Sequence, residues 1–188
     1  MDIAISVLFA ILLVYLLARL NPFSRGGDGL SKNRIGDGLR KLKALKRKYA
    51  VMTESLLMAA PDDELLEAVL ANLWAKMAPD LSDAHGVMRG QSEGRRHIYA
   101  LYAVTGGVRQ SGFAALRKGE DAPLLPGCAQ ALEAIGAPNS ADLLRRAMAA
   151  DDPSPFSAPY LESFDAEDAK AKMVAYIRKN PEAFCDLI

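Results

Sequence analysis

The side chains best suited to catalysis are few in this sequence, and their spacing matches no catalytic or metal-binding pattern. His85 and His97 are the only histidines, and neither belongs to an HExxH arrangement. The only cysteines, Cys128 and Cys185, lie far apart and lack the spacing of a zinc site. We therefore expect no catalytic residues, no cofactor and no bound metal ion, and we interpret the chain as a binding protein rather than an enzyme.

Two groups of carboxylates are candidates for contacting a partner. Asp62 and Asp63 follow Pro61 at the start of a predicted helix, where acidic residues also stabilise the positive end of the helix dipole. Glu162 and Asp165 belong to a second acidic cluster nearer the C-terminus. We identify these four residues as candidate partner-binding residues.

The charges are distributed unevenly along the chain, although they sum to zero. Residues 1–50 carry ten basic and three acidic residues, whereas residues 51–188 carry thirteen basic and twenty acidic residues. The basic segment is interpreted either as contacting anionic lipid headgroups or as a solvated helix face that sets membrane topology. Nucleic acid is not an expected partner, because only Phe23 and Tyr49 supply aromatic rings between residues 19 and 50.

The first twenty residues predict a membrane anchor. Ile3 to Ala18 carry no charge, and the eighteen residues Ile3–Leu20 would form a helix of about 27 Å, close to the thickness of a bilayer core. The basic residues that follow favour an N-terminus outside and a domain in the cytosol. The sequence thus predicts a single-pass protein of the bacterial inner membrane, with Ile3–Leu20 and the basic stalk in contact with lipid.

The remaining pattern predicts an all-α fold in three parts: an anchor over 1–20, a glycine-rich and basic stalk over 21–48, and a compact multi-helix domain over 49–188. No run with the alternation of a β-strand is present. Gly136 is placed to cap a helix at its C-terminus. The apolar spacing predicts helices over 39–58, 61–77, 93–104, 124–135, 141–150 and 165–180, with a short helical turn over 113–116.

One motif supports a family resemblance. Val108 to Phe113 is followed by an Ala-Leu-Glu-Ala-Ile-Gly-Ala step and a Leu-Leu-Arg-Arg-Ala helix. Over roughly residues 50–188 this order resembles the bacterial DNA-mimic-type helical domain family, whose turn reads Val-Asn-Asn-Gly-Gly-Phe. Arg109 and Gln110 stand where that family has its two asparagines, and they are candidate partner-binding residues. Gly112 and Phe113 match the turn, and we expect them to build it.

The resemblance implies an interaction domain of unknown partner and unknown oligomeric state. Our leading hypothesis is a membrane-anchored, cytosol-facing helical domain that binds another protein. One alternative is a DNA-mimic-type regulator that occupies the basic surface of a DNA-binding protein. A further alternative is a small hydrolase or a nucleic-acid binder that uses the basic stalk.

Overall fold

The computed structural model describes residues 32–186, and over this range the chain forms α-helices and 3₁₀ turns without a β-strand. The all-α prediction is therefore confirmed. The helices are α1 (Lys32–Lys48), α2 (Glu54–Ala59), α3 (Asp62–Ala75), α4 (Ala84–Arg89), α5 (Glu93–Leu116), α6 (Leu125–Ala134), α7 (Pro138–Ala149), α8 (Ser157–Ala166) and α9 (Ala169–Lys179). The 3₁₀ turns are Ala122–Leu124, Ser154–Phe156 and Pro181–Phe184.

Helix α5 lies at the centre of the described fold. Every residue from His97 to Val108 is buried, so this stretch presents little surface to solvent. A helix that is covered on all sides must be apolar or small on all sides, which the sequence of α5 satisfies. Helices α3, α4, α6 and α8 pack around it. The rings of Trp74 on α3 and Tyr102 on α5 meet edge to face, with 5.5 Å between their centroids.

Helix α1 packs along α3. Leu42 and Leu45 are buried in this contact, and the Nζ of Lys46 donates a hydrogen bond of 2.9 Å to the carbonyl of Trp74. Lys41 pairs with Glu67 on α3 at 2.6 Å. Residues 32–48, which the sequence pattern assigned to a stalk, therefore form a helix that contacts the rest of the fold. Residues 21–31 of the predicted stalk lie outside the described residues.

The prediction of a single-pass inner-membrane protein is wrong for the part of the chain that the structure describes. No helix within residues 32–186 is long and apolar enough to cross a bilayer. The predicted anchor, Ile3–Leu20, lies outside the described residues. The location in the inner membrane, with the N-terminus outside and the domain in the cytosol, and the contact with lipid are therefore not retained.

A network of hydrogen bonds around Asp186 fixes the C-terminal end of the described chain. Its carboxylate accepts a hydrogen bond from the backbone N–H of Met52 at 2.7 Å and another from the side-chain amide of Asn72 at 3.0 Å. It also pairs with Arg95 at 2.8 Å and with Lys76 at 3.0 Å. Burial alone raises the pKa of Asp186, but these donors outweigh burial and hold its pKa well below the ordinary value.

The glycine of the turn motif bends the last part of α5. Gly112 has φ 75° and ψ 170°, a conformation essentially restricted to glycine. The bend directs the N–H of Phe113 to the Oγ of Ser157 at 3.0 Å, across to the start of α8. The buried ring of Phe113 then packs edge to face on Tyr160 of α8, 5.2 Å between centroids. Gly136, with φ 81°, similarly follows the end of α6.

Replacing Asp186 with Asn is expected to destabilise the fold by about 3 kcal/mol near pH 7, because it leaves the buried Arg95 guanidinium without its carboxylate. The pKa of Asp186 is lower when folded, so its stabilisation is full above the ordinary carboxyl pKa of about 4 and declines progressively as the pH falls from there towards the folded pKa, which makes the effect of the substitution smaller at pH 3 than at pH 7. Urea denaturation at pH 7 and pH 3 measures this. Glu162→Gln, which removes an exposed carboxylate, is the control. An equal effect of Asp186→Asn at both pH values would contradict the electrostatic explanation.

Replacing Gly112 with Ala is expected to cost about 1–3 kcal/mol of stability, because its φ and ψ are unfavourable for any residue with a Cβ. The new Cβ would also lie 3.2 Å from the Oγ of Ser157. Gly127→Ala is the matched control, since its Cβ would meet no atom within 4 Å and alanine favours a helix. Thermal unfolding of both variants is the measurement. A Gly112→Ala protein as stable as the control would contradict this account.

Candidate partner-binding surfaces

The bend in α5 brings two of the predicted binding residues together. Arg109 lies one turn before the bend, and its Nη2 donates to Asp165 near the end of α8 at 2.7 Å. The side chain of Arg109 is about a quarter exposed and that of Asp165 about half exposed. The pair therefore crosses the boundary between α5 and α8 at the protein surface, where a partner can reach the carboxylate.

Two further predicted residues flank this ion pair. Gln110 follows Arg109 and is exposed. Glu162 precedes Asp165 by three residues, which places both on the same side of α8, and it is also exposed. Among the described residues, Glu162 forms no ion pair, unlike Asp165. We call Arg109, Gln110, Glu162 and Asp165 the α5–α8 surface.

The structure places the other predicted pair elsewhere. Asp62, at the start of α3, accepts two hydrogen bonds from the guanidinium of Arg178, at 3.0 Å and 2.6 Å. The same guanidinium donates to the carbonyls of Leu57 and Met58, at 2.8 Å and 3.2 Å, so it holds α2 and α3 to α9. Asp62 thus has a structural contact. Asp63 is exposed at the same helix start, without an ion pair to a described residue.

The thiol of Cys128 is held in an unreactive setting. Cys128 is fully buried, and burial raises the pKa of its thiol to about 12, so the thiol is protonated at neutral pH. Over the described residues, no three His, Cys, Asp or Glu side chains are grouped closely enough to hold a metal ion.

A cleft that the sequence pattern did not reveal lies between α4, α5 and α6. Its volume is about 490 Å³. The apolar residues Met88, Tyr99, Ala100, Pro123 and Leu124 line it, and the chain's two histidines, Arg89, Glu93, Arg96, Gly127 and Gln130 complete the wall. We call it the α4–α6 cleft. No helix was predicted between residues 77 and 93, so the helix α4 that carries His85 and Arg89 was missed.

The electrostatics of the α4–α6 cleft are uneven. Arg89 and Arg96 are both exposed, and neither pairs with a carboxylate among the described residues. The guanidinium of Arg96 donates a hydrogen bond to the carbonyl of Gln91, at 2.7 Å. Burial lowers the pKa of His97, so its ring is neutral at pH 7 even though Glu93 lies 3.7 Å away. The positive charge of the cleft therefore comes from the two arginines.

Comparison with known proteins identifies the family. A family model described as "DMP19-like protein" matches residues 89–187, more than half of the chain. No curated protein and no solved structure gives a significant match. The matched region contains helices α5 to α9, and with them the α5–α8 surface and much of the α4–α6 cleft. The resemblance to a DNA-mimic family is thereby confirmed at the level of the family, and the chain belongs to the DMP19-like protein family.

Proposed function

We propose that this protein is a helical binding domain whose partner is another protein and whose contact region is the α5–α8 surface. The main support for the proposal is that the four residues of the α5–α8 surface lie close together where α5 bends towards α8. Membership of a family of DNA-mimic type supports a protein partner, since a mimic acts by binding a protein.

The local chemistry supports recognition by a basic partner. Glu162 and Asp165 offer two carboxylates on one side of α8, while Arg109 neutralises only one of them. Asp168 adds a third exposed carboxylate at the start of α9. Arginine side chains of a partner can bind such carboxylates through two hydrogen bonds at once, which gives both affinity and orientation.

DNA mimicry is the second candidate, and the family membership together with the excess of acidic residues over 51–188 favours it. Duplex DNA presents one negative charge per about 1.7 Å of its axis, so a mimic needs many exposed carboxylates. In the described fold many carboxylates instead pair with the chain's own cations: Asp62, Glu64, Glu67, Glu133, Asp142, Asp165 and Asp186. We therefore place general protein binding first.

A charge swap tests the α5–α8 surface without removing its ion pair. A photo-crosslinking amino acid that replaces Gln110 or Glu162 is expected to capture the same protein in cells. The same amino acid in place of the exposed Lys43 on α1 is expected not to capture that protein. Exchanging the pair, Arg109→Asp with Asp165→Arg, keeps the net charge and changes the unfolding free energy by less than about 1 kcal/mol. It is expected to reduce the Gln110 adduct at least tenfold. If the amount of adduct is undiminished, the ion pair stabilises the fold but does not contact the partner.

Salt dependence separates the two candidate functions once the crosslinked partner is purified. Ordinary protein binding predicts that raising the salt from 50 to 200 mM weakens affinity by less than about tenfold, because few charged contacts are involved. DNA mimicry predicts a loss of about a hundredfold or more, together with displacement of the partner protein by duplex DNA. Fluorescence anisotropy with labelled protein measures both effects.

A further inference from the structure

We propose that the α4–α6 cleft binds an acidic, apolar peptide segment of a second protein partner. The cleft is separate from the α5–α8 surface, because Ala100 in its wall and Arg109 are nine residues apart on α5, about 14 Å along the helix axis. This binding therefore does not depend on the function proposed above.

The size and lining of the cleft fit one apolar side chain and its neighbours. Its volume of about 490 Å³ lies within the range of ligand-binding clefts. Met88, Tyr99 and Leu124 provide apolar surface, and Gly127 leaves room because a Cβ there would meet no atom within 4 Å. A leucine or aromatic side chain of a peptide can be buried in this space.

The arginines that line the cleft predict that the bound peptide is negatively charged. Of the arginines between residues 51 and 186, five pair with carboxylates: Arg95, Arg109, Arg145, Arg146 and Arg178. Arg117 binds the carbonyls of Ala150 and Asp151. Arg89 and Arg96 lack a described carboxylate partner, and both line the same cleft. Guanidinium groups beside apolar surface are complementary to carboxylates of a bound peptide.

The surroundings also orient the segment. Glu93 is the one carboxylate among the described lining residues of the cleft, and it lies beside His97. A second cleft of about 820 Å³ adjoins the first at His85 and Tyr99, and its lining includes Asp80 and Glu120. The acidic residues of the peptide therefore face Arg89 and Arg96, while the end nearer Asp80 is neutral or basic.

Selection of a phage-displayed random peptide library on the full chain tests the proposal. The expected peptides carry an aliphatic or aromatic residue next to Asp or Glu. Gly127→Leu, which fills the cleft, and the double variant Arg89→Glu with Arg96→Glu are each expected to weaken binding of a selected peptide at least tenfold. The matched controls are Gly36→Leu, where a Cβ also meets no atom within 4 Å, and Lys43→Glu with Arg47→Glu on α1.

Each outcome decides the question. Peptides of the expected type that lose binding only with the two cleft variants support the proposal. Failure to select any peptide, selection of basic peptides, or full binding to Gly127→Leu overturns it. Circular dichroism verifies that each variant folds, and if the double arginine variant unfolds, Gly127→Leu alone decides. Crosslinking at Gln110 reports on the α5–α8 surface alone. A negative result in the peptide selection therefore overturns the cleft proposal without affecting the proposal for the α5–α8 surface.

Discussion

The burial of α5 on every side is the constraint on which the rest of the described structure depends. From His97 to Val108 every residue of the helix is buried, so neighbouring helices must cover nearly all of its surface. Two glycines make close covering possible: a Cβ at Gly107 would lie 2.6 Å from Leu116, and one at Gly94 would lie 3.0 Å from Phe184. Because its middle is largely covered, the solvent-accessible charged residues that α5 contributes to the two proposed surfaces lie near its ends: Arg96 at the cleft and Arg109 at the α5–α8 surface.

The chain uses much of its acidic charge to assemble the fold. Asp186 joins the C-terminal segment to α3 and α5. Glu167 accepts hydrogen bonds from the backbone N–H groups of Asn139 and Ser140 at 3.0 Å and 2.9 Å, which satisfies the start of α7. Burial opposes ionisation of Glu167, yet these donors and the Ser140 hydroxyl lower its pKa. A carboxylate held in this way is not available to imitate a phosphate, so composition alone overstates the acidity that a partner meets.

Several helices could be predicted from the sequence because local signals define them. The predicted helix over 61–77 corresponds to Asp62–Ala75, and that over 124–135 corresponds to Leu125–Ala134. In both cases proline or glycine marks the ends. The predicted end of a helix at Val104 was wrong, since α5 continues through Gly106 and Gly107. Glycine lowers helix propensity locally, but here the close approach of Leu116 requires it, and that requirement arises only from tertiary packing.

The binding residues show the same division between local and tertiary information. The spacing of Glu162 and Asp165 is visible in the sequence, but their relation to Arg109 depends on the bend at Gly112. The α4–α6 cleft was missed because no local pattern distinguishes Arg89 and Arg96 from arginines that pair within the fold. Their significance emerges only when the ion pairs of the described residues are assigned and these two have no carboxylate.

We expect the two proposed surfaces to bind independently, because of how α5 is held at its ends. Near its start, Gly94 packs against the 3₁₀ turn Pro181–Phe184, and Arg95 bonds to Asp186. Near its end, Phe113 packs on Tyr160 and bonds to Ser157. Coupling between two sites requires an element with two alternative arrangements that both sites bias. A helix enclosed along its middle and fixed at both ends is a rigid spacer between them. We therefore expect that the two proposed surfaces can be occupied at the same time.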